Sequence, residues 1–185
     1  MITPVELAQI IIEAVRTRAE QFDSFDRNIA CMRIAISPIS HEAREWIQSV
    51  VPNEAIRYEI VANLNPHSHT TRDMYECGCS DGCNALKITN CIRNILFGLG
   101  TTSRTPKEAA HDYIHPGNGL LNSDGCVSCL LRKEIYEGHD HPDTLDWARI
   151  YISVSGGYQN DDKLCAYSGI AAISQALNYT EFTVS

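Results

Sequence analysis

A strictly alternating segment near the start of the chain constrains the fold more than any other feature. Apolar residues occupy every second position between Asn28 and Ser37, and that set is Ala30, Met32, Ile34 and Ile36. Successive side chains of a β-strand point to opposite faces, so the segment predicts a strand with one fully buried face. Pro38 follows and is expected to end the strand.

The rest of the sequence predicts further strands and several helices. Thr3-Pro4-Val5-Glu6 is a capping box that opens an amphipathic helix. Alternation or helical spacing predicts further strands at 56–64 and 147–154, and helices at 41–50, 84–98, 105–113 and from Asp161 or Asp162 to Leu177. This order predicts an α+β fold, an antiparallel β-sheet flanked by α-helices. The length of 185 residues suits one domain, 1–185, with irregular Cys/His-rich segments at about 65–83 and 115–143.

Two short cysteine-containing segments, 77–83 and 126–129, give the clearest indication of chemistry. Thiolates suit zinc, copper and iron–sulfur centres, imidazole suits zinc, copper and iron, and a C-x-x-C pair supplies two ligands from one tight turn. We therefore predict a transition-metal site, zinc or iron. A redox or disulfide pair and inert thiols are the alternatives. The candidate ligands are Cys77, Cys79, Cys83, Cys126, Cys129, His67, His69, His139 and His141. The other cysteines, Cys31, Cys91 and Cys165, are expected to be small core residues.

Composition restricts the partners and the compartment. The net charge of −8 argues against nucleic acid or an anionic membrane as the partner. No segment approaches the roughly 18 consecutive apolar residues of a membrane span. The N-terminal residues have neither a basic start nor a small-residue cleavage site, so we expect a cytoplasmic protein. In a reducing compartment, clustered cysteines favour metal binding or redox chemistry over structural disulfides.

The last third of the chain resembles a known family. Ile150-Tyr151-Ile152-Ser153-Val154-Ser155-Gly156-Gly157 is followed by Asp162-Lys163-Leu164-Cys165-Ala166-Tyr167-Ser168-Gly169. This pairing resembles the closing signature of the GlcG/HbpS-like family, and Ala85 to Gly98 with Thr102-Ser103-Arg104 resembles its middle helix. The resemblance implies a small α+β domain that forms homo-oligomers. Some members bind haem or a related tetrapyrrole, and others are adjuncts or enzymes in small-molecule pathways.

The chain departs from the family where the ligand pocket is expected. Asn90-Cys91-Ile92-Arg93 stands in place of the usual Lys-Ala-Arg-Thr, and Asp124-Gly125-Cys126 replaces the usual Gly-Gly-x-Pro loop. The Cys/His-rich insertion from Pro66 to Cys83 matches nothing in that pattern. Asn90, Arg93, Gly156 and Gly157 are the candidate ligand-binding residues. A solvated helix face and a tight turn are the alternative interpretations of these four.

The predicted function is a metal- or redox-site-containing, GlcG/HbpS-like protein that acts on or binds a small molecule. Three hypotheses remain open: a metal-dependent small-molecule enzyme, a haem- or tetrapyrrole-binding module and a non-catalytic oligomeric partner. The expected partners are a small-molecule ligand and further copies of the chain, with no nucleic acid and no membrane. No catalytic residue is assigned, because no Ser-His-Asp order, P-loop, dinucleotide fingerprint or H-E-x-x-H motif is present.

Overall fold

The computed structural model describes residues 2–23, 30–52, 55–64, 80–103, 125–135, 143–178 and 181–185. Within these ranges the chain forms four helices and five strands. The helices are α1 (Pro4–Ala19), α2 (His41–Gln48), α3 (Ser80–Leu96) and α4 (Gln159–Leu177). The strands are β1 (Cys31–Pro38), β2 (Tyr58–Asn63), β3 (Cys126–Ile135), β4 (Asp143–Ser155) and β5 (Phe182–Val184).

The strands form one antiparallel sheet in the order β2-β1-β4-β3-β5. Strand β4 is the longest at 13 residues, and it pairs with β1 on one side and β3 on the other. The register between β3 and β4 shifts once, between Leu131 and Arg132. The predicted fold class, an α+β domain with an antiparallel sheet flanked by helices, is confirmed.

One face of the sheet packs against α1, α2 and α4 through apolar side chains. Alternate residues of β1 and β4 face this core, and neighbouring pairs such as Ile34 and Ile152 lie directly opposite each other. Trp147 anchors one end of this core, with ring centroids 4.7 Å from Trp46 and 4.5 Å from Phe182. Burial of these side chains supplies the main apolar driving force for folding.

The opposite face of the sheet lies under α3 and is much more polar. Most of the residues that alternate with the core positions carry hydroxyl, thiol or charged groups, as Arg33 on β1 and Ser153 and Ser155 on β4 illustrate. The two faces of β1 therefore differ as its alternation predicts.

The early elements match their predictions closely. The capping box is present: the Thr3 N–H donates to Glu6 Oε2 at 2.8 Å, and the Glu6 N–H donates to Thr3 Oγ1 at 3.2 Å. Strands β1 and β2 and helix α2 lie where they are predicted, with small differences at their ends, and Pro38 is the last residue of β1. The predicted helix at 105–113 lies outside the described residues.

Several elements differ from their predictions, and β4 begins at Asp143 instead of Trp147. Strand β3 runs through the segment at 115–143 that is predicted to be irregular, so that prediction is wrong for 126–135. The first six residues of β3 are buried on both faces, and such strands lack the alternation that identifies a half-buried strand. Helix α3 begins at Ser80 instead of Asn84, so residues 80–83 belong to a helix.

Helix α4 begins at Gln159, and neither Asp161 nor Asp162 is its N-cap. Tyr158 takes that position without a side-chain hydrogen bond, and both aspartates lie in the first turn.

None of the described helices combines the length and the apolarity that crossing a membrane requires.

We expect Gly169→Leu to destabilise the protein by about 1–3 kcal/mol, although leucine is the better helix former. A Cβ at Gly169 would lie 2.8 Å from Ile152 Cδ1 and 3.0 Å from Ile11 Cγ2, because α4 packs closely against α1 and the sheet there. Thermal or denaturant unfolding measures the change. Ala171→Leu, at an exposed position of the same helix, is the matched control and should leave the unfolding midpoint nearly unchanged. A Gly169→Leu midpoint at or above that of the wild type would contradict the packing argument.

Candidate functional site

Helix α3 is joined to the sheet by buried polar groups. The Asn84 Nδ2 group donates to the backbone oxygen of Cys31 at 3.2 Å. Its Oδ1 atom accepts from Ser153 Oγ at 2.8 Å and from Ser155 Oγ at 2.9 Å. Asn84 is fully buried, so these hydrogen bonds offset the cost of removing its amide from water.

One helical turn later, Lys87 forms a buried ion pair with Asp162. The Lys87 Nζ atom lies 3.0 Å from Asp162 Oδ2 and 3.0 Å from Ser155 Oγ, and it also donates to the backbone oxygen of Val154. The two side chains are only 4% and 5% exposed. Three acceptors match the three donors of an ammonium group, and together they connect α3, β4 and α4.

The Asp162 carboxyl is held in an unusual electrostatic environment. Burial raises the pKa of Asp162 from 3.8 to about 6, although the Lys87 ammonium opposes that rise. A folded-state pKa above the unfolded value means that the folded state binds the proton more tightly. The stability from this carboxyl is therefore fully present below about pH 4 and is lost as the pH rises through about 6.

The contacts of Gly156 and Gly157 support the tight-turn interpretation. Gly156 has a φ of +116°, and a Cβ there would lie 2.5 Å from Ala30 Cα, so the position requires glycine. The Gly157 N–H donates to Asp162 Oδ1 at 3.1 Å. This backbone donor, which an anion would need, is thus already used by a carboxylate.

Asn90 and Arg93 lie in the C-terminal half of α3, away from the glycine turn. Arg93 is exposed, and its guanidinium donates to Asn94 Oδ1 at 2.9 and 3.1 Å. The glycine turn lies beside Lys87, which is separated from Arg93 by six residues, or about 9 Å of helix. The structure therefore does not bring the four predicted ligand-binding residues together.

Cys126 and Cys129 are buried in β3, so the prediction that they share an irregular, turn-rich segment is wrong. Residues three apart on a strand point to opposite faces. Cys126 packs with Ile88 and Cys91 under α3, whereas Cys129 belongs to the apolar core on the other face. Burial raises the pKa of Cys129 to about 12. The two thiols therefore do not face one ion as a C-x-x-C turn would arrange them.

The other predicted metal ligands lie outside the described side chains. The structure does not describe Cys77, Cys79, His67, His69, His139 or His141, and Cys83 lies in α3 without a described side chain. Among the described residues, no group of three or more His, Cys, Asp or Glu side chains is arranged to hold a metal ion. A metal held by the undescribed residues stays a prediction.

The structure brings together two thiols that the sequence analysis separated. Cys91 on α3 and Cys126 on β3 are both fully buried and belong to the same small cluster. Interaction with the Cys126 side chain lowers the pKa of Cys91, and Ser128 and Arg149 act in the same direction. Burial raises the pKa of Cys126 well above its usual value. Cys91 is therefore the thiol of this pair that ionises more easily.

Next to this thiol pair lies a group of charged residues that we call the arginine–tyrosine cluster: Arg33, Arg57, Glu59, Arg149 and Tyr151. Arg33 Nη1 lies 3.7 Å from Glu59 Oε2, and Arg57 also forms an ion pair with Glu59. Both contacts are partly buried, with the three side chains 22–32% exposed. One carboxylate thus faces two guanidinium groups at the β1–β2 side of the cluster.

Arg149 and Tyr151 complete the cluster from β4. Tyr151 is 6% exposed, and burial raises its pKa, which the guanidinium groups of Arg149 and Arg57 partly oppose. Arg149 pairs with Ser37, and Arg57 directly precedes Tyr58, the partner of Ile36. The short Ser37 side chain therefore lies between two arginines. Arg149 is half-buried and has no hydrogen bond or ion pair with another described residue.

Sequence reasoning missed this cluster because its members come from three separate segments. The available signal was alternation: Arg33 belongs to the polar set of the first strand, and Arg149 and Tyr151 alternate with apolar residues in the last one. Only the strand order and register place these residues side by side.

The comparisons with known proteins add no relative. The chain matches no protein-family model, no curated protein and no solved structure.

We expect Lys87→Met to destabilise the protein by about 3–5 kcal/mol at pH 8, because it leaves the Asp162 carboxylate buried without its partner. The loss should be smaller at pH 5, where protonation of Asp162 removes the buried charge. Urea unfolding at both pH values measures the difference. Lys133→Met, which removes the surface contact between Lys133 Nζ and Glu42 Oε1 at 2.6 Å, should cost no more than about 1 kcal/mol. Equal losses for the two variants at both pH values would show that the Lys87–Asp162 pair is not desolvated.

Proposed function

We propose that this protein is a small-molecule-binding domain that binds a small organic anion at the arginine–tyrosine cluster, on the α3 side of the sheet. The observation that carries the proposal is Arg149, a partly exposed arginine that has no hydrogen bond or ion pair with another described residue. A guanidinium group binds carboxylate and phosphate oxygens strongly, so a ligand that carries one of these groups is its natural complement.

The composition of the cluster supports an anionic ligand. Guanidinium groups bind carboxylate and phosphate oxygens through paired hydrogen bonds. Glu59 pairs with Arg33 and Arg57, and no carboxylate in the described part of the chain forms an ion pair with Arg149. Because its pKa is raised, Tyr151 keeps its proton at neutral pH and is able to donate a further hydrogen bond.

The family resemblance supports a binding site on the same side of the molecule. The GlcG/HbpS-like pocket is expected beside the middle helix, which corresponds to α3. We accordingly propose a GlcG/HbpS-like, homo-oligomeric protein. We also propose the cytoplasm as its compartment, because the five described cysteines are buried thiols, as expected where disulfides are rare.

Arg149→Gln should weaken binding of the anion about 10- to 100-fold, because it removes a charge-assisted hydrogen bond to the ligand. The probes are inorganic phosphate, acetate, succinate and citrate, screened by thermal shift and then measured by calorimetry. Arg132→Gln is the matched control, since Arg132 pairs at the surface with Asp146 at 3.0 Å and should not affect affinity.

Glu59→Gln should have the opposite effect on the affinity for the anion. Neutralising this carboxylate frees Arg33 and Arg57 from their ion pairs, so anion binding should become tighter. Failure of all four probes to bind, or equal affinities for Arg149→Gln, Glu59→Gln and the wild type, would reject the cluster as the binding site.

A metal-dependent site and a haem site are the second candidates. The seven predicted Cys and His ligands whose side chains are not described support a zinc or iron site, and the arginines of the cluster would suit the propionate groups of haem. Elemental analysis and an absorption spectrum of the purified protein test both. A stoichiometric metal without a Soret band supports the metal site, a Soret band supports haem, and neither signal would leave the organic anion as the proposed ligand.

A further inference from the structure

Strand β5 is the last strand of the sheet, and the backbone of Val184 faces its outer edge. Within the described ranges, β5 pairs with β3 alone. The Ser185 N–H donates to the backbone oxygen of Leu130 at 3.0 Å, and the Leu130 N–H donates to the backbone oxygen of Ser185 at 2.8 Å. In an antiparallel pair, such bonded positions alternate with positions whose backbone groups point away from the partner strand. The N–H and C=O groups of Val184 therefore point away from β3.

A groove lies between this edge and the C-terminal end of α4. The groove has a volume of about 390 Å³, which is within the range of ligand-binding clefts. It is lined by all three residues of β5, by Leu177 and Asn178 of α4, and by Glu134 of β3. An exposed sheet edge can bind an extended peptide as an additional strand, and a neighbouring groove then receives alternate side chains of that peptide.

The groove has an acidic end. The Glu134 N–H donates to the backbone oxygen of Glu181 at 2.8 Å, so the two glutamates lie opposite each other where β5 begins. Like charges at opposite positions destabilise a sheet. The Lys133 Nζ atom lies 3.8 Å from Glu181 Oε1 but only 2.6 Å from Glu42 Oε1, so this lysine offsets the charge of Glu181 only in part. A basic side chain in the groove would complement the glutamates.

We propose that the groove binds an extended, basic peptide segment of a partner protein, which pairs with β5 as an additional strand. The backbone of Val184 supplies hydrogen bonds to the peptide, and Glu134 and Glu181 select a lysine or arginine side chain. The arginine–tyrosine cluster is built around β1, β2 and β4, and β2 and β5 lie at opposite edges of the sheet. The peptide site therefore goes beyond the proposed anion site and does not depend on it.

Amide hydrogen exchange of the full-length protein, followed by NMR, tests whether the edge is accessible. Without peptide, the Val184 amide should exchange faster than the Thr183 amide, which faces β3 opposite Arg132. Slow exchange at Val184 would show that another part of this chain or a second copy already covers the edge, and it would overturn the proposal.

A display library of random heptapeptides provides the probes. Selected peptides should contain a lysine or arginine, and replacing that residue with glutamate should weaken binding about 10-fold. Each peptide is also N-methylated at every second backbone amide, in the two possible sets. One set should abolish binding and the other should leave it nearly unchanged, because only alternate N–H groups of an added strand face β5.

Two variants test whether the selected peptides bind at this groove. Val184→Pro removes the outward N–H and keeps the hydrogen bonds of Ser185 to β3, so it should weaken binding about 10-fold. Glu134→Gln should weaken it about 3- to 10-fold. Glu13→Gln, at an exposed position of α1, is the matched control and should have no effect.

The proposal would be overturned if the library yielded no binder, or if the two N-methylated sets bound equally well. Equal affinities of the selected peptides for the wild type, Val184→Pro and Glu134→Gln would also overturn it. The N-methylated peptides are measured with the wild-type protein, so the proposal remains testable even if a variant fails to fold.

Discussion

The position of α3 depends on hydrogen bonds between buried polar groups as well as on apolar packing. Asn84 and Lys87 are both buried, and each must keep its acceptors and donors satisfied to avoid a large desolvation cost. Such bonds are directional, so they set both the rotation of α3 and its place along β4. The thiol pair and the arginine–tyrosine cluster lie on this side of the sheet, and their geometry therefore depends on that placement.

The two faces of the sheet have different roles. Its core face, covered by α1, α2 and α4, consists of apolar side chains and supplies most of the stability. Its other face accepts polar and charged groups, which contribute less to stability but are the ones able to bind a ligand or react. The ion pair between Lys87 and Asp162 spans this division, because Asp162 belongs to a helix of the core face.

Local pattern was enough to predict the fold class but not the site. The alternation around Ile34 and the capping box at Thr3 are short-range signals, and both predictions are confirmed. Alternation does not predict strand β3, because its first six residues are buried on both faces, and the C-x-x-C spacing of its two cysteines favours a turn instead. The arginine–tyrosine cluster could not be predicted, since neighbours such as Ser37 and Arg149 are brought together only by strand order and register.

The strict alternation of β4 from Arg149 to Ser153 also limits how the length of this chain can change. Arg149, Tyr151 and Ser153 face α3, whereas Ile150 and Ile152 between them face the core. Inserting one residue within this stretch would exchange the two sets and bury a guanidinium in the apolar core. After an insertion of two residues, the side chains that follow would still point to their original faces of the sheet. Related sequences should therefore vary in length between the strands, and within this stretch of β4 only by even numbers of residues.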